Sequence, residues 1–404
     1  MSISSTNYVD FSYAPETVAG VIDNNAPTVF QKLPITSVGI TDNLSTAKSE
    51  VIRSDRMTDD LVVVDSEVSG DCNYELSYAP YKPIVTSLFQ NGNRITVSAS
   101  ITDVEFATHT FNGTGFTAAG VVPGIWLKMS GFVTNPTYNT YFKVASTTNT
   151  TIVVDDPDDI LGADETATVT GTVSYIRNGA AAPDTYTLRK DLTPPGGSSS
   201  VLYYKGCIVN SMSFTFEPGA ILSGSTNFMG RTTEANAAVA EGGTTLTSVS
   251  LTDVASYRIM NGVSSLTEVR VSGLPAGTEF SNVNLTVDNQ INAAKAIGVL
   301  GAAELAAFSL MVNADMEIYF QDLSIYNIYK TAGSFSVDLV IADNPTATGL
   351  PAGNVLIISM PKCKFEELSE PVDGKDNFLM ESGSFTALRD ATNNFMIQAC
   401  FFDE

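Results

Sequence analysis

The clearest pattern along the chain is an alternation of apolar and polar positions over 61–77. In LVVVDSEVSGDCNYELS, Val64 and Val68 lie on one face of an extended chain, and Asp65 and Glu67 lie on the other. A period of two is typical of a half-buried β-strand, because successive side chains point to opposite faces. The pattern therefore predicts a strand over this segment.

The pattern changes at residue 78. In YAPYKPIVTSLFQNG (78–92), apolar residues recur at spacings of three and four; they are Tyr81, Ile84, Val85, Leu88 and Phe89. Two prolines lie near the start of the segment and Gly92 lies at its end. The segment is therefore predicted to form a short amphipathic helix.

Turn signals divide the rest of the chain. Pro218-Gly219 predicts a hairpin between two alternating runs, and an Ala/Gly-rich stretch without periodicity predicts a linker. The predicted layout is an N-terminal arm with one short strand near 35–41 (1–50), a first domain (51–100 and 176–231), a small all-β, barrel-like insertion (101–175), the linker (232–243) and a second, mostly strand, domain (244–404).

Two distant segments resemble each other. VSGDCNYELSYAPYKPIV (68–85) and VNADMEIYFQDLSIYNIY (312–329) each lead from a strand into a short aromatic-rich helical stretch. A weaker alignment sets 208–219 against 282–292. A duplication would give two copies of one fold, so the expected fold class is mainly β: two β-sandwich or barrel domains, each with a short flanking helix, plus the insertion.

The composition changes this picture in one respect. Charged residues make up 16% of the chain, below the roughly 25% usual for soluble proteins, which suggests that much surface is buried against partners. The net charge of −23 disfavours nucleic-acid binding. Two interpretations stay open: simple solubility, or a wall along which an anionic polymer slides without sticking.

Cysteine usage and the N-terminus indicate the compartment. Cys72, Cys207, Cys363 and Cys400 are far apart and form no CxxC pair, so we expect reduced core thiols in a reducing compartment. The N-terminal segment has an early acidic residue and no apolar run, so no signal peptide is expected. No apolar run reaches the roughly 20 residues of a membrane helix.

Candidate catalytic chemistry is sparse. A single histidine, His109, cannot supply a His-rich metal site, and no nucleophile elbow or Walker motif is present. The acidic run DDPDDILGADE (155–165) fits calcium by composition but not by EF-hand spacing, so a solvated loop is favoured. We therefore expect no catalytic residues, no cofactor and no metal.

The run RSDRMTDD (53–60) combines both charge signs in eight residues. A paired-carboxylate acid–base site lacks support from any pocket motif or histidine. Arginine favours bidentate pairing at interfaces, so Arg53, Asp55, Arg56 and Asp59 are candidates for contacts between subunits. Ion pairs within one chain explain the same pattern equally well.

Several segments carry a family resemblance. VIRSDRMTDDLVVVDSEVSGDCNYELSYAPYKPIVTSLFQ (51–90) resembles the tail tube proteins of long, non-contractile-tailed bacteriophages, the siphophages, with an arginine-serine-aspartate stretch, then VSGDCNYELSY, then a short helix. VNSMSFTFEPGAILSGSTNFMGR (209–231) looks like the next hairpin of that family. Shorter matches lie at 287–301, 314–322 and 360–367, and the insertion lies outside the likeness.

The resemblance implies a structural virion protein, a major tail tube subunit with tail-tube-type domains. Such subunits form rings whose sheets pair edge to edge into an inner barrel, and the rings stack into a conduit for DNA ejection. With two fold copies per chain, a trimeric pseudo-sixfold ring is preferred; with one copy, a hexamer would be needed.

Further expectations follow from the same resemblance. Partners would be the other tail proteins (terminator, tape measure, baseplate or tip), with DNA passing through the lumen without specific binding and no membrane association. Assembly would occur in the host bacterial cytoplasm. The candidate charged residues of 53–60 would lie in an inter-subunit or inter-ring loop, the N-terminal arm would reach a neighbouring ring, and the insertion would face outward.

Two rival functions remain open from sequence. A secreted adhesin-like array of β-modules fits the Ser/Thr/Gly-rich strands but lacks a signal peptide. A polysaccharide-degrading β-enzyme needs two carboxylates a few ångströms apart, and the sequence offers no way to choose such a pair.

Overall fold

The computed structural model describes residues 5–22, 28–92, 94–197, 199–235, 239–240, 244–245, 249–253, 257–275, 277–345, 351–372 and 374–404. The described residues are 51% strand and 7% helix, which confirms the mainly β fold class. Its first half contains β1 Asp10–Pro15, β2 Thr28–Lys32, β3 Ser37–Val38, β4 Thr41–Lys48, β5 Leu61–Glu75, α1 Tyr78–Leu88, β6 Ile95–Glu105, β7 Thr110–Gly113, β8 Trp126–Ser130, β9 Tyr141–Thr147, β10 Thr151–Asp155, β11 Val169–Arg177 and β12 Tyr186–Asp191. Its second half contains β13 Val201–Phe216, β14 Ser223–Gly230, β15 Thr232–Ala235, β16 Val239–Ala240, β17 Thr244–Thr245, β18 Val249–Thr252, β19 Leu266–Ser272, β20 Phe280–Asp288, β21 Asn292–Ala294, β22 Glu304–Ala306, β23 Met311–Tyr319, α2 Ser324–Lys330, β24 Phe335–Pro345, β25 Pro351–Ser369, β26 Met380–Ala387 and β27 Gln398–Phe402.

Local sequence patterns place the first long strand, the first helix and the central hairpin correctly. The alternating run forms β5, and the three-and-four-spaced run forms α1, whose apolar face is buried. The predicted turn at Pro218-Gly219 joins β13 to β14, which pair antiparallel. These three predictions are confirmed.

Two groups of five strands share one topology. In the first unit the hydrogen-bonded order is β4, β5, β14, β13, β12, and α1 follows β5 in the chain. In the second unit the order is β20, β23, β26, β25, β24, and α2 follows β23. Each helix packs on the equivalent strand, α1 on β13 and α2 on β25. The chain thus contains two units with the same connectivity, as the alignment of 68–85 with 312–329 predicts.

Side chains at equivalent positions support the duplication. Phe228 lies opposite Gly70 in the first unit, and Phe385 lies opposite Ala314 in the second. Both phenylalanines are buried, since the small residue opposite leaves room for the ring. A β-bulge also occurs at the same place in both long strands, at 210 in β13 and at 366 in β25.

The weaker alignment of 208–219 with 282–292 is wrong. Those segments belong to β13 and β20, which are neighbours that pair antiparallel from Ser211↔Asp288 to Phe216↔Val283. The true counterpart of β13 is β25. Any two alternating strands match in sequence, because a period of two carries no information about which strand pairs with which.

The β13–β20 pairing joins the two units into one continuous inner sheet. One buried core packs beneath this sheet and contains residues of both units. An outer layer closes the sandwich. In β24, β25 and β27, Leu339, Leu356 and Phe401 face this shared core, whereas Val340 and Ile357 face the opposite side.

The insertion packs on that opposite side. Its strands, β6 to β11, enclose a core of their own that also contains Val340, Ile357 and Phe402 of the second unit. Pairing of β11 with β27 extends the outer sheet, and Trp126 donates a hydrogen bond to Ser359 Oγ at 3.2 Å. The outer sheet therefore separates the insertion from the shared core.

The N-terminal region contains more structure than the single expected strand. Four strands, β1 to β4, lie within 1–50, and β1 pairs with β12. Phe11 and Tyr13 are buried in the shared core. The expectation of one strand is wrong, because polar and proline-rich strands lack the clean alternation on which that prediction depends. At the predicted linker, β15 pairs with β13, and residues 236–238 and 241–243 lie outside the described residues.

Gly224 provides a stability test of the packing in the first unit. A Cβ at this position would lie 2.0 Å from Ser213 O and 2.6 Å from the Tyr74 hydroxyl oxygen. We expect Gly224→Val to lower the free energy of unfolding by about 1–3 kcal/mol through overpacking. Gly162→Ala is the control, since its Cβ would meet nothing within 4 Å. Chemical denaturation of both variants measures the effect, and equal midpoints would contradict it.

Candidate assembly surfaces

The inner sheet has one apolar face and one polar face. The apolar face covers the shared core. The polar face is formed by every second residue of seven neighbouring strand segments, 67–75, 223–229, 211–215, 282–288, 311–319, 380–386 and 367–369. Cross-strand registers align these residues in rows, for example Asn73, Ser225, Ser213, Thr286 and Asn313. The face is therefore continuous across both units.

Serine, threonine and asparagine dominate this polar face, and its charges have one sign. Seven carboxylates lie on it: Glu67, Asp71, Glu75, Asp288, Asp315, Glu317 and Glu367. None of the alternate residues in those segments is basic; Lys364, beyond the bulge in β25, lies at the margin. Neutral side chains form hydrogen bonds with some of these carboxylates; for example, Asn227 Nδ2 donates to Asp71 Oδ1 at 2.7 Å. The face carries negative charge without a cation to bind phosphate.

Sequence reasoning did not identify these residues. The sequence does contain Ser, Thr or Asn at every second position of several strands. Only the strand pairing in the structure shows that these residues lie on one face of one sheet.

Two edges of the inner sheet have no partner strand within the described chain. At one end, β3 and β4 pair with β5 on one side only. At the other end, residues 367–369 of β25 pair with β26 on one side only. Val372, just beyond, is 83% exposed, whereas its counterpart Phe216 is 3% exposed beside β20. Unpaired edges expose backbone donors and acceptors that favour pairing with another chain.

The β4–β5 hairpin projects from the first of these edges. Its arms pair from Thr41↔Ser69 to Lys48↔Leu61, and a bulge at Val64 twists them. Its outer part exposes large apolar side chains; they are Leu44, Val51, Ile52, Met57, Leu61, Val62, Val63 and Val64. So much exposed apolar surface in one segment is typical of a protein interface.

The tip of this hairpin contains the predicted charged residues. Arg53 forms ion pairs with Asp55, at 2.8 Å, and with Asp59. These hydrogen bonds raise the pKa of Arg53, and the bond from Arg53 lowers the pKa of Asp55. Arg56 adopts a positive φ of 60° and has no ion pair among the described residues. Intramolecular pairing thus accounts for three of the four candidates, and their role between subunits stays a prediction.

The second unit contains a counterpart of this hairpin. Residues 289–310 connect β20 to β23, include β21 and β22, and fold back onto the first unit. Ile291 and Leu305 cluster with Ile208 of β13, and Lys295 pairs with Asp65. Within one chain, the connection of the second unit therefore covers the first unit.

The other sequence candidates show no catalytic arrangement. His109 lies in a left-handed loop conformation, with Asp159 at 3.9 Å. In the 155–165 run, the Asp156 carboxylate accepts from two backbone amides and the Glu165 carboxylate binds the loop at Asn135. Among the described residues, no group of three or more His, Cys, Asp or Glu could hold a metal ion. The four cysteines are buried and unpaired.

A mainly β chain with a duplicated unit, unpaired sheet edges and a projecting apolar hairpin has the features of a self-associating structural protein. Residues 6–387, nearly the whole chain, match the family described as phage tail tube protein. No curated protein matches the chain. The chain belongs to the phage tail tube protein family and is a structural component of the virion, which confirms the resemblance.

Membership of this family indicates how the protein assembles and where it is located. Tail tube proteins assemble as oligomers together with other tail proteins, and they reside in the virion tail. The family indicates a non-enzymatic role. Among the described helices, none has the length and apolar character needed to cross a membrane.

Proposed function

We propose that three copies of this chain close into a pseudo-sixfold ring, and that the rings stack into the DNA conduit of a long, non-contractile tail. The observation that carries this proposal is the β13–β20 pairing, which joins the first unit of a chain to its own second unit. The two unpaired edges correspond to the two strands of that pairing. Residues 367–372 of the second unit are equivalent to 211–216 of β13, and residues 38–43 of the first unit are equivalent to 283–288 of β20.

The internal joint predicts the register of the joint between chains. The pairs Ser211↔Asp288 and Ser213↔Thr286 occur within the chain. The equivalent pairs between chains are Glu367 with Asn43 and Ser369 with Thr41 of the next copy. Val372 would lie beside Val38, as Phe216 lies beside Val283, and would lose its exposure to water.

The channel width supports three chains. Eight neighbouring strands of each chain form the inner sheet, namely β4, β5, β14, β13, β20, β23, β26 and β25, so three chains supply 24. With neighbouring strands about 4.8 Å apart and tilted by about 40°, such a barrel measures roughly 48 Å across between backbones. That leaves room for a DNA duplex inside the side chains.

We infer that the polar face lines this channel. Its carboxylates and neutral hydroxyl and amide groups repel or ignore phosphate, so DNA would pass without specific binding. The insertion would then face outward, because the shared core and the outer sheet lie between it and the polar face.

The projecting hairpin would cover a neighbouring copy. Its counterpart, 289–310, covers β13 within the chain. By the same relation, the apolar arms of the hairpin would pack on the second unit of the next chain, and the tip with Arg53, Asp55, Arg56 and Asp59 would reach that chain or the next ring.

Cross-linking tests the proposed register. We expect the double variant Asn43→Cys with Glu367→Cys to form disulfides between chains on mild oxidation, because directly opposed strand residues lie about 5 Å apart. Non-reducing electrophoresis should give a ladder that stops at three chains. The native cysteines are buried, so they contribute little background.

Lys48→Cys with Glu367→Cys is the matched control, since Lys48 lies five residues along the strand from Asn43, about 17 Å away. Equal cross-linking of the control would overturn the register. Covalent species of four to six chains would overturn the three-chain ring in favour of six.

A further inference from the structure

Two neighbouring carboxyl groups in the second unit have buried oxygens without partners among the described residues. Glu381, in β26, is fully buried, and neither of its carboxylate oxygens has a hydrogen-bond partner among the described residues. Glu370, just after β25, likewise has a buried Oε1 without a partner there. An isolated buried carboxylate is strongly unfavourable, and such a group usually becomes neutral by taking up a proton.

Comparison of the two units explains how Glu381 fits. Glu381 lies opposite Ile318, whereas its counterpart Gly224 lies opposite Tyr74. In the first unit, the Tyr74 hydroxyl occupies this space and donates to Ser213 O at 2.8 Å. In the second unit, isoleucine replaces the tyrosine, and the glutamate side chain is accommodated where glycine was required. The carboxyl group fills the space without replacing the hydrogen bond.

Two carboxylates from neighbouring segments act on Glu381. Glu370 approaches from the end of β25, and Asp322 from the segment before α2. Hydrogen bonds from the Ser324 side chain and from Ser324 N lower the pKa of Asp322 and keep it ionised. On β23, Asp315 and Glu317 lie on the opposite, polar face. Burial, followed by the charges of Glu370 and Asp322, raises the pKa of Glu381 to about 7.

This pair lies at the unpaired edge of the second unit. The counterpart of Glu370 is Phe214, which pairs with Leu285 at the internal joint. At the equivalent joint between chains, Glu370 would lie opposite Ile40 of the next copy. The neighbouring strand would thus cover Glu370, which is half-buried in the single chain, and would exclude water from the space beside Glu381.

We propose that closure of the joint between chains is coupled to proton uptake by Glu381, which lies beside Glu370. The inference rests on the proposed ring, since the neighbouring strand completes the burial. Binding of a proton neutralises one carboxylate and removes the repulsion between the two, so the closed joint is favoured at lower pH.

The same pair makes folding of the single chain depend on pH. The folded pKa of Glu381, about 7, lies above its ordinary value of 4.5. Below 4.5 both the folded and unfolded states bind the proton, so stability is unaffected. Between 4.5 and 7 only the folded state does, so stability falls as pH rises through this window and the loss is complete above 7.

Two measurements on wild type, Glu381→Gln and Glu370→Gln test the proposal. Urea denaturation of dilute single chains should give a midpoint that falls from pH 5 to pH 8 in the wild type and that is flatter in Glu381→Gln. Sedimentation velocity should show an association constant that falls by up to about tenfold per pH unit, as expected for one proton. Both glutamine variants should flatten that dependence.

Glu317→Gln is the control, because this exposed carboxylate lies one strand away on the polar face and should retain the wild-type pH dependence. A wild-type urea midpoint that is constant from pH 5 to 8 would contradict proton binding by Glu381 in the folded chain. A pH-dependent midpoint with pH-independent association would overturn the coupling and leave the ring intact. Failure to associate at any pH would overturn the ring, and the coupling with it.

Discussion

Replacement of residues 49–60 by an Asn-Gly turn is expected to give a folded chain that no longer assembles into rings or tubes. The change removes the hairpin tip beyond the pair Lys48↔Leu61 and leaves both strands joined by a favoured two-residue turn. The ion pairs of Arg53 lie within the deleted segment, and exposed pairs contribute little stability. The deletion also removes Ile52, which is 98% exposed in the single chain.

Negative-stain electron microscopy and sedimentation velocity would measure assembly, and circular dichroism would verify the fold. A matched control shortens another hairpin turn, residues 148–150 between β9 and β10 of the insertion, which should leave assembly unchanged if the insertion faces outward. Tubes formed by the 49–60 variant with wild-type yield would show that the tip has no role between subunits.

Lys143→Met is expected to lower the free energy of unfolding by about 3–5 kcal/mol, the range for removal of one partner from a buried ion pair. Lys143 Nζ lies 2.6 Å from Asp338 Oδ2, and their side chains are 18% and 5% exposed. Asp338 Oδ1 has no other partner among the described residues. The substitution would leave an uncompensated carboxylate between the insertion and the second unit.

Guanidinium denaturation would measure this loss. The double variant Lys143→Met with Asp338→Leu should recover most of the stability, because replacing a buried ion pair by apolar groups is often neutral. Lys48→Met, at an exposed position of β4, should shift stability by less than about 0.5 kcal/mol. A loss below about 1 kcal/mol for Lys143→Met would show that solvent reaches Asp338.

The family resemblance depended on features that are local in sequence. The alternation over β5, the three-and-four spacing over α1 and the Pro218-Gly219 turn each act within about 20 residues, and all three elements form as predicted. The acidic composition and the alignment of 68–85 with 312–329 likewise needed no long-range information. Such patterns determine which segments become strands and which residues they bury.

Only the tertiary structure decided how those strands combine. It paired β13 with β20 where sequence had aligned them as repeats, joined the insertion to the second unit through β11 and β27, and placed four strands in the N-terminal region. It also brought serines, asparagines and carboxylates from distant strands onto one face, and Glu370 and Glu381 to one edge. The physical reason is that alternation specifies the two faces of a strand but not its neighbours, which long-range packing and hydrogen bonding select.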